Sequence, residues 1–244
     1  MYEPRTYRHW IKDRDLTSFS VVVKETDLLV RAQANLEREA RRLVIRYRRQ
    51  LEIYIRQYPS FLTSLEPIPF DDSAPHIVQL MLTAATKTGV GPMAAVAGAI
   101  AELVGNELSV LSPEIIIENG GDIYLKSSRK RVVGIYAGKS PLSGKIGLEI
   151  SGRDTPLGIC TSSGTVGHSL SYGQADAVMV LAKAAALADA AATAIGNLII
   201  SPTDIPRGIE LAQDIGGLKG VVIIKDDRMG LWGKVKIHKL EAGA

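Results

Sequence analysis

A chain of 244 residues with 46% hydrophobic and 23% charged residues has the composition of a globular protein and the length to bury a sizeable core. Its net charge of +3 is too small to imply nucleic acid, and its single cysteine, Cys160, excludes an intramolecular disulfide and argues against a cysteine-based zinc site. The segment Met1-Tyr2-Glu3-Pro4-Arg5 has no apolar h-region, and no window reaches the roughly 20 apolar residues of a membrane span, so a cytoplasmic chain with no membrane partner is expected.

Residues 7–31 alternate enough for a hairpin, with strands at 19–24 and 27–31. From about 33 to 58 the pattern turns helical: Leu36, Leu43, Tyr47, Leu51, Tyr54 and Ile55 recur on one face. Arg38, Arg41, Arg42, Arg46, Arg48, Arg49 and Arg56 crowd the others, a solvated face or a surface for a partner or a homodimer. Residues 59–75, with Pro67, Pro69 and Pro75, form a rigid connector that requires no domain boundary. Helices follow at 75–88 and 94–104, strands at 114–118, 123–126, 132–137 and 146–150, and a glycine- and hydroxyl-bearing segment at 158–168 whose part 161–165 reads as a loop. A strand at 176–181, an alanine-rich helix within 182–200, a helix at 207–215 and closing strands at 220–225 and 234–238 complete a single α+β domain.

Ala188-Asp189-Ala190-Ala191-Ala192-Thr193-Ala194 is the most unusual stretch. Asp189 and Thr193 stand at i and i+4, on one helix face, in surroundings otherwise small and apolar. Two oxygen ligands on one face suit a hard cation such as Mg²⁺. The alternative is local: Asp189 caps its helix and Thr193 bonds back to its own backbone.

Three polar segments precede it. Thr88-Gly89-Val90-Gly91-Pro92, ahead of a helix, is a phosphate seat or an ordinary tight turn. Glu118-Asn119-Gly120-Gly121-Asp122 is a hairpin turn, or a place where glycines admit a ligand between polar anchors. Thr161-Ser162-Ser163-Gly164-Thr165 with His168 offers hydroxyls and amides to phosphate, and His168 an acid or base; a solvated surface loop is the plain alternative. Cys160 beside it reads as packing.

In this order the segments resemble the ApbE-like superfamily, in particular its small cytoplasmic branch. The resemblance spans 88–196 and rests on Gly89-Val90-Gly91-Pro92-Met93-Ala94-Ala95-Val96-Ala97, Asn119-Gly120-Gly121-Asp122, Thr161-Ser162-Ser163-Gly164 and the Asp189–Thr193 motif. It implies an enzyme that binds FAD, holds Mg²⁺ against its pyrophosphate and transfers FMN to a threonine or serine hydroxyl of an acceptor protein, releasing AMP. The implied metal ligands are Asp189, Thr193 and the carbonyl of Gly91. Asn119, Gly120, Gly121 and Asp122 would line the flavin-nucleotide pocket. Thr161, Ser162, Ser163 and Thr165 would contact phosphate or ribose, with His168 as the acid–base candidate. Two features depart from the transferases: Pro92 stands where they carry lysine, and their His-Ile-Ile-Asp-Pro segment is missing. A non-catalytic flavin or nucleotide binding module, or a pyrophosphate or ester hydrolase, therefore stands beside the transferase reading.

Overall fold

The computed structural model describes residues 15–164 and 172–240. Strands β1 (Thr17–Val23) and β2 (Thr26–Ala32) form the opening hairpin, with Val21 opposite Leu28. The arginine-rich helix α1 (Glu37–Gln57) buries Leu43, Tyr47, Leu51 and Tyr54, the stripe expected from its spacing. One short helix, α2 (Ser60–Thr63), sits in the proline-bearing connector because Phe61 finds a buried seat against the Tyr54 ring. Helix α3 (His76–Thr88) ends at Gly89, whose φ of 73° closes it in the left-handed conformation. A 3-10 turn (Pro92–Ala95) then leads into α4 (Val96–Leu108).

The remaining elements are β3 (Ile115–Asn119), β4 (Asp122–Lys126), β5 (Arg131–Gly134), β6 (Ile146–Ile150), β7 (Leu157–Ser162), β8 (Ala177–Ala182), α5 (Ala185–Gly196), α6 (Ile205–Asp214), β9 (Leu218–Lys225), β10 (Arg228–Gly233) and β11 (Ile237–Lys239). Eight strands form one antiparallel sheet in the order β1-β2-β3-β4-β7-β8-β9-β10, and β11-β6-β5 form a second, smaller one.

Period-2 alternation sorts the large sheet's side chains between two cores. Ile115, Ile117 and Tyr124 face α1, α3 and α4, and Cys160, Val178, Val180, Val221 and Ile223 face α5 and α6. The alternate residues Ile116, Ile123, Leu125, Leu157 and Ile159 meet Val133, Leu148 and Ile150 of the small sheet. The result is three layers (helices, large sheet, small sheet), the α+β class expected. No single helix among the described residues is long and apolar enough to cross a membrane.

Two expectations need correction. The loop expected from Thr161 begins instead as the end of the central strand β7, which is paired with β4 and β8. The closing strand expected at 234–238 is instead an edge strand, β10, ending at Gly233, followed by the short β11. At the end of β4 away from Asp122, Arg131 is buried but paired, 2.6 Å from Asp15 and 3.0 Å from Glu114, as a buried guanidinium must be.

Candidate functional site

Helices α4 and α5 both begin after an alanine, Ala95 and Ala184, whose side chain cannot cap the free backbone N–H groups of a first turn. Each helix supplies the other's cap. Asp189 Oδ2, on α5, accepts from the backbone N–H of Gly98 at 2.8 Å, and its carboxyl also accepts from Ala97. Glu102 Oε2, on α4, accepts from the backbone N–H of Ala186 at 3.1 Å, and its carboxyl also accepts from Ala185. Asp189 is thus a helix cap, but for α4 rather than for its own helix. Contact this close demands glycine at 98: a Cβ there would run into the Ala185 carbonyl and lie 2.8 Å from Asp189 Cβ.

The Asn119–Asp122 hairpin meets the same helix end. Gly120 (φ 70°) and Gly121 (φ 106°) make the two-residue turn, and Asn119 pairs with Asp122 across it. Asn119 Nδ2 donates to the carbonyl of Ala97 at 3.1 Å, and Glu118 Oε1 accepts from the Gly121 N–H at 2.9 Å. Residues 97 and 98 are therefore held by both Asn119 and Asp189, although 119 and 189 lie far apart in sequence. Strand pairing of Ile123 with Ile159 brings Asp122 beside Cys160, whose thiol hydrogen-bonds its carboxyl. The Cys160 sulfur also lies 3.3 Å from the carbonyl of Ala185, one helical turn before Asp189.

This end of the sheet is dense in carboxylates. Asp122 is only 7% exposed, and its Oδ1 has no hydrogen-bond partner among the described residues. Burial, then the charge of Asp189, pushes the Asp122 carboxyl well above its usual range. Burial pushes Asp189 up to about 7 against the opposing pull of the Gly98 and Ala97 N–H groups. It also raises Glu102 and the Cys160 thiol, the latter further through the Asp122 and Asp189 charges. A thiol so placed is protonated and inert, as expected for packing. Neither Asp122 nor Asp189 pairs with a lysine or arginine among the described residues.

Thr193 does not bond back to Asp189, whereas Thr83, Thr86 and Thr88 of α3 each donate to the carbonyl four residues earlier. Thr161 and Ser162 end β7 rather than lie in a loop; the Thr161 carbonyl is beside Gly121, and a Cβ on Gly196 of α5 would lie 3.5 Å from Ser162 Oγ. Ser163 Oγ lies 3.4 Å from the Ala175 carbonyl. Gly91 packs on the backbone of Ser64 and Leu65, and the backbone that meets Asp189 is that of Ala97 and Gly98. Thr165 and His168 lie outside the described residues. Among the described residues no three His, Cys, Asp or Glu side chains cluster as a metal site; the expected set contains one carboxylate, one hydroxyl and one carbonyl. Sequence reasoning missed Ala97, Gly98 and Glu102. Glu102 carried a usable signal, a carboxylate directly after the small, apolar run Val96-Ala97-Gly98-Ala99-Ile100-Ala101, much like the surroundings that single out Asp189.

The layered α+β architecture is the fold of the ApbE flavin transferases. The chain is similar to the Pseudomonas stutzeri flavinyl transferase ApbE in its apo form, with a TM-score of 0.59 and 14% identity, covering 90% of this chain and 94% of that one. It is similar to the flavin transferase ApbE from Vibrio cholerae with a TM-score of 0.50 and 14% identity, covering 89% and 96%. The family model described as AbpE bacteria matches residues 8–218, and the chain belongs to that family. Its sequence relatives include the UPF0280 protein of Methanocaldococcus jannaschii, 40% identical over 232 residues (93% of this chain and 92% of the relative). The UPF0280 protein of Methanopyrus kandleri is 44% identical over 234 residues (93% and 95%).

Proposed function

We propose that this protein binds FAD with Mg²⁺ at the Asp122–Asp189 end of the sheet and transfers FMN from it to a serine or threonine hydroxyl of an acceptor protein. The observation that carries the reading is the convergence of distant segments: Asn119 and Asp189 grip the same helix turn, Asp122 lies within reach of the charge of Asp189, and the Thr161–Ser162 end of β7 lies beside α5. The donors fit a hard cation, because Asp189 and the Thr193 hydroxyl, which does not bond back along its helix, are both oxygens on one helix face. Asp189 and Thr193 would hold the ion. When bound, Mg²⁺ supplies positive charge against the pyrophosphate and the charge that develops in displacement.

In the transfer, the acceptor hydroxyl oxygen attacks the phosphorus on the FMN side of the pyrophosphate. The bond from that phosphorus to the bridging oxygen breaks, FMN remains as a phosphoester on the acceptor, and AMP departs. The hydroxyl proton passes to a base, for which His168 is the sequence candidate. Asn119 to Asp122 line the pocket, while Thr161, Ser162, Ser163 and Thr165 supply hydroxyls for phosphate or ribose.

A second reading, flavin binding without transfer, is favoured by Pro92: it is buried at the start of the 3-10 turn, where the transferases carry lysine. Purified protein incubated with FAD, Mg²⁺ and serine- or threonine-containing acceptor peptides decides between them. Release of AMP with a flavin-labelled peptide supports transfer; FAD binding without AMP supports the binding module.

A further inference from the structure

Asp122 is a buried carboxylate with an unmet need. At 7% exposure its Oδ1 has no hydrogen-bond partner among the described residues, and no lysine or arginine pairs with it. Leaving such an oxygen unsatisfied in a protein interior is costly, and buried charges persist where they are paired or coordinate a metal. Glu118 and Asp189 add negative charge around it. The Cys160 thiol and the Thr161 N–H donate to the Asp122 carboxyl, but neither carries a full charge to offset burial and its two acidic neighbours.

The neighbouring contacts lead from Asp122 to the helix face that carries Asp189. The Asp122 carboxyl touches the Cys160 thiol, and the Cys160 sulfur lies 3.3 Å from the Ala185 carbonyl. Ala185 and Asp189 stand at i and i+4, on one face of α5. The two carboxylates therefore lie on either side of Cys160, near enough for the charge of Asp189 to act on Asp122.

The geometry points to Asp122 as the second carboxylate of a divalent-cation site shared with Asp189, rather than a residue that only lines the flavin pocket. This inference rests on the cation reading above and extends it to a residue from a different motif. Two carboxylates, with the remaining positions filled by water or phosphate oxygens, are a normal set for Mg²⁺. The Asp122–Asp189 repulsion present without the ion is relieved when it binds. Asp122 also explains why the hairpin turn must stay against α4: Asn119 fixes the hairpin to Ala97, and so sets how far Asp122 stands from Asp189.

The test is binding of Mn²⁺ alone, without flavin, by electron paramagnetic resonance on the full chain. The unmodified protein should bind a single Mn²⁺ displaceable by Mg²⁺, and Asp122→Asn and Asp189→Asn should each weaken it about ten-fold or more. Equal binding by Asp122→Asn, with loss in Asp189→Asn, overturns this inference and leaves the cation reading standing. No Mn²⁺ binding by the unmodified chain overturns both. Should Asp122→Asn not fold, Fe²⁺-directed oxidative cleavage of the unmodified chain separates the same alternatives. Cuts beside both 122 and 189 support the shared site, and cuts beside 189 without any beside 122 overturn it.

Discussion

Glu102 caps the helix that carries Asp189, and Asp189 caps the helix that carries Glu102. Neither helix start has a residue of its own able to do this, so α4 and α5 can each be completed only when docked on the other. Loss of a capping side chain costs about 1–2 kcal/mol. Glu102→Ala should therefore lower Tm by about 2–4 °C per kcal/mol for a chain of this size. Glu102→Gln, which keeps an acceptor oxygen for the Ala186 N–H, should recover most of the loss. Thermal unfolding of the two variants checks this, and equal destabilisation by both would contradict the capping role.

Gly98→Ala tests the close approach of the helices. In an exposed helix the change would stabilise by up to about 1 kcal/mol. Here the added methyl meets the Ala185 carbonyl and Asp189 Cβ, and overpacking should reverse the sign, to a net loss of about 1–3 kcal/mol. Urea unfolding gives the sign directly.

The raised carboxyls set a pH dependence. Asp189 titrates near 7 in the folded chain against an ordinary 3.8, so the folded state keeps a proton that the unfolded state has already lost. Its contribution is fully present below about pH 4 and is lost as pH rises toward 7. Asp122 acts in the same direction. Urea midpoints measured from pH 4 to 8 in the presence of a chelator should fall with rising pH, and Asp189→Asn should flatten that slope. An unchanged slope in Asp189→Asn would contradict the assignment.

Thr193 separates function from stability. Its hydroxyl makes no back-bond in α5, unlike the threonines of α3. Thr193→Val keeps the side-chain shape and loses no hydrogen bond made among the described residues. Its unfolding midpoint should stay within about 1 kcal/mol of the parent, while Mg²⁺-dependent FAD binding falls about ten-fold or more. Calorimetric titration beside a melting curve measures both.

Much of the fold and site is legible in the sequence because the signals are local. Asp189 and Thr193 stand out at helical spacing, and the Asn-Gly-Gly-Asp hairpin follows from its turn residues. The rest depends on packing between distant segments. The end of β7 reads as a loop because Thr161, Ser162 and Ser163 are a run of hydroxyls, while Gly158 earlier in the strand lets it pass under Ala185. β10 escapes notice because an edge strand, exposed at Arg228 and Met229 and carrying two glycines, lacks the apolar run of its neighbours. The caps are invisible along the chain because Asp189 and Gly98 lie 91 positions apart and Glu102 and Ala186 lie 84 apart. The amides of Ala97 and Gly98 meet Asp189 only in space, a contact that order along the chain does not show.

Asp189 is central to the proposed function as the anchor of a cation through which this chain holds FAD. Equilibrium titration of FAD into the purified protein, with Mg²⁺ or with a chelator, tests that role most directly when repeated on Asp189→Asn. The expected result is Mg²⁺-dependent binding that weakens about ten-fold or more with the chelator or in the variant. Absence of FAD binding, or binding equally tight in all these conditions, would contradict it.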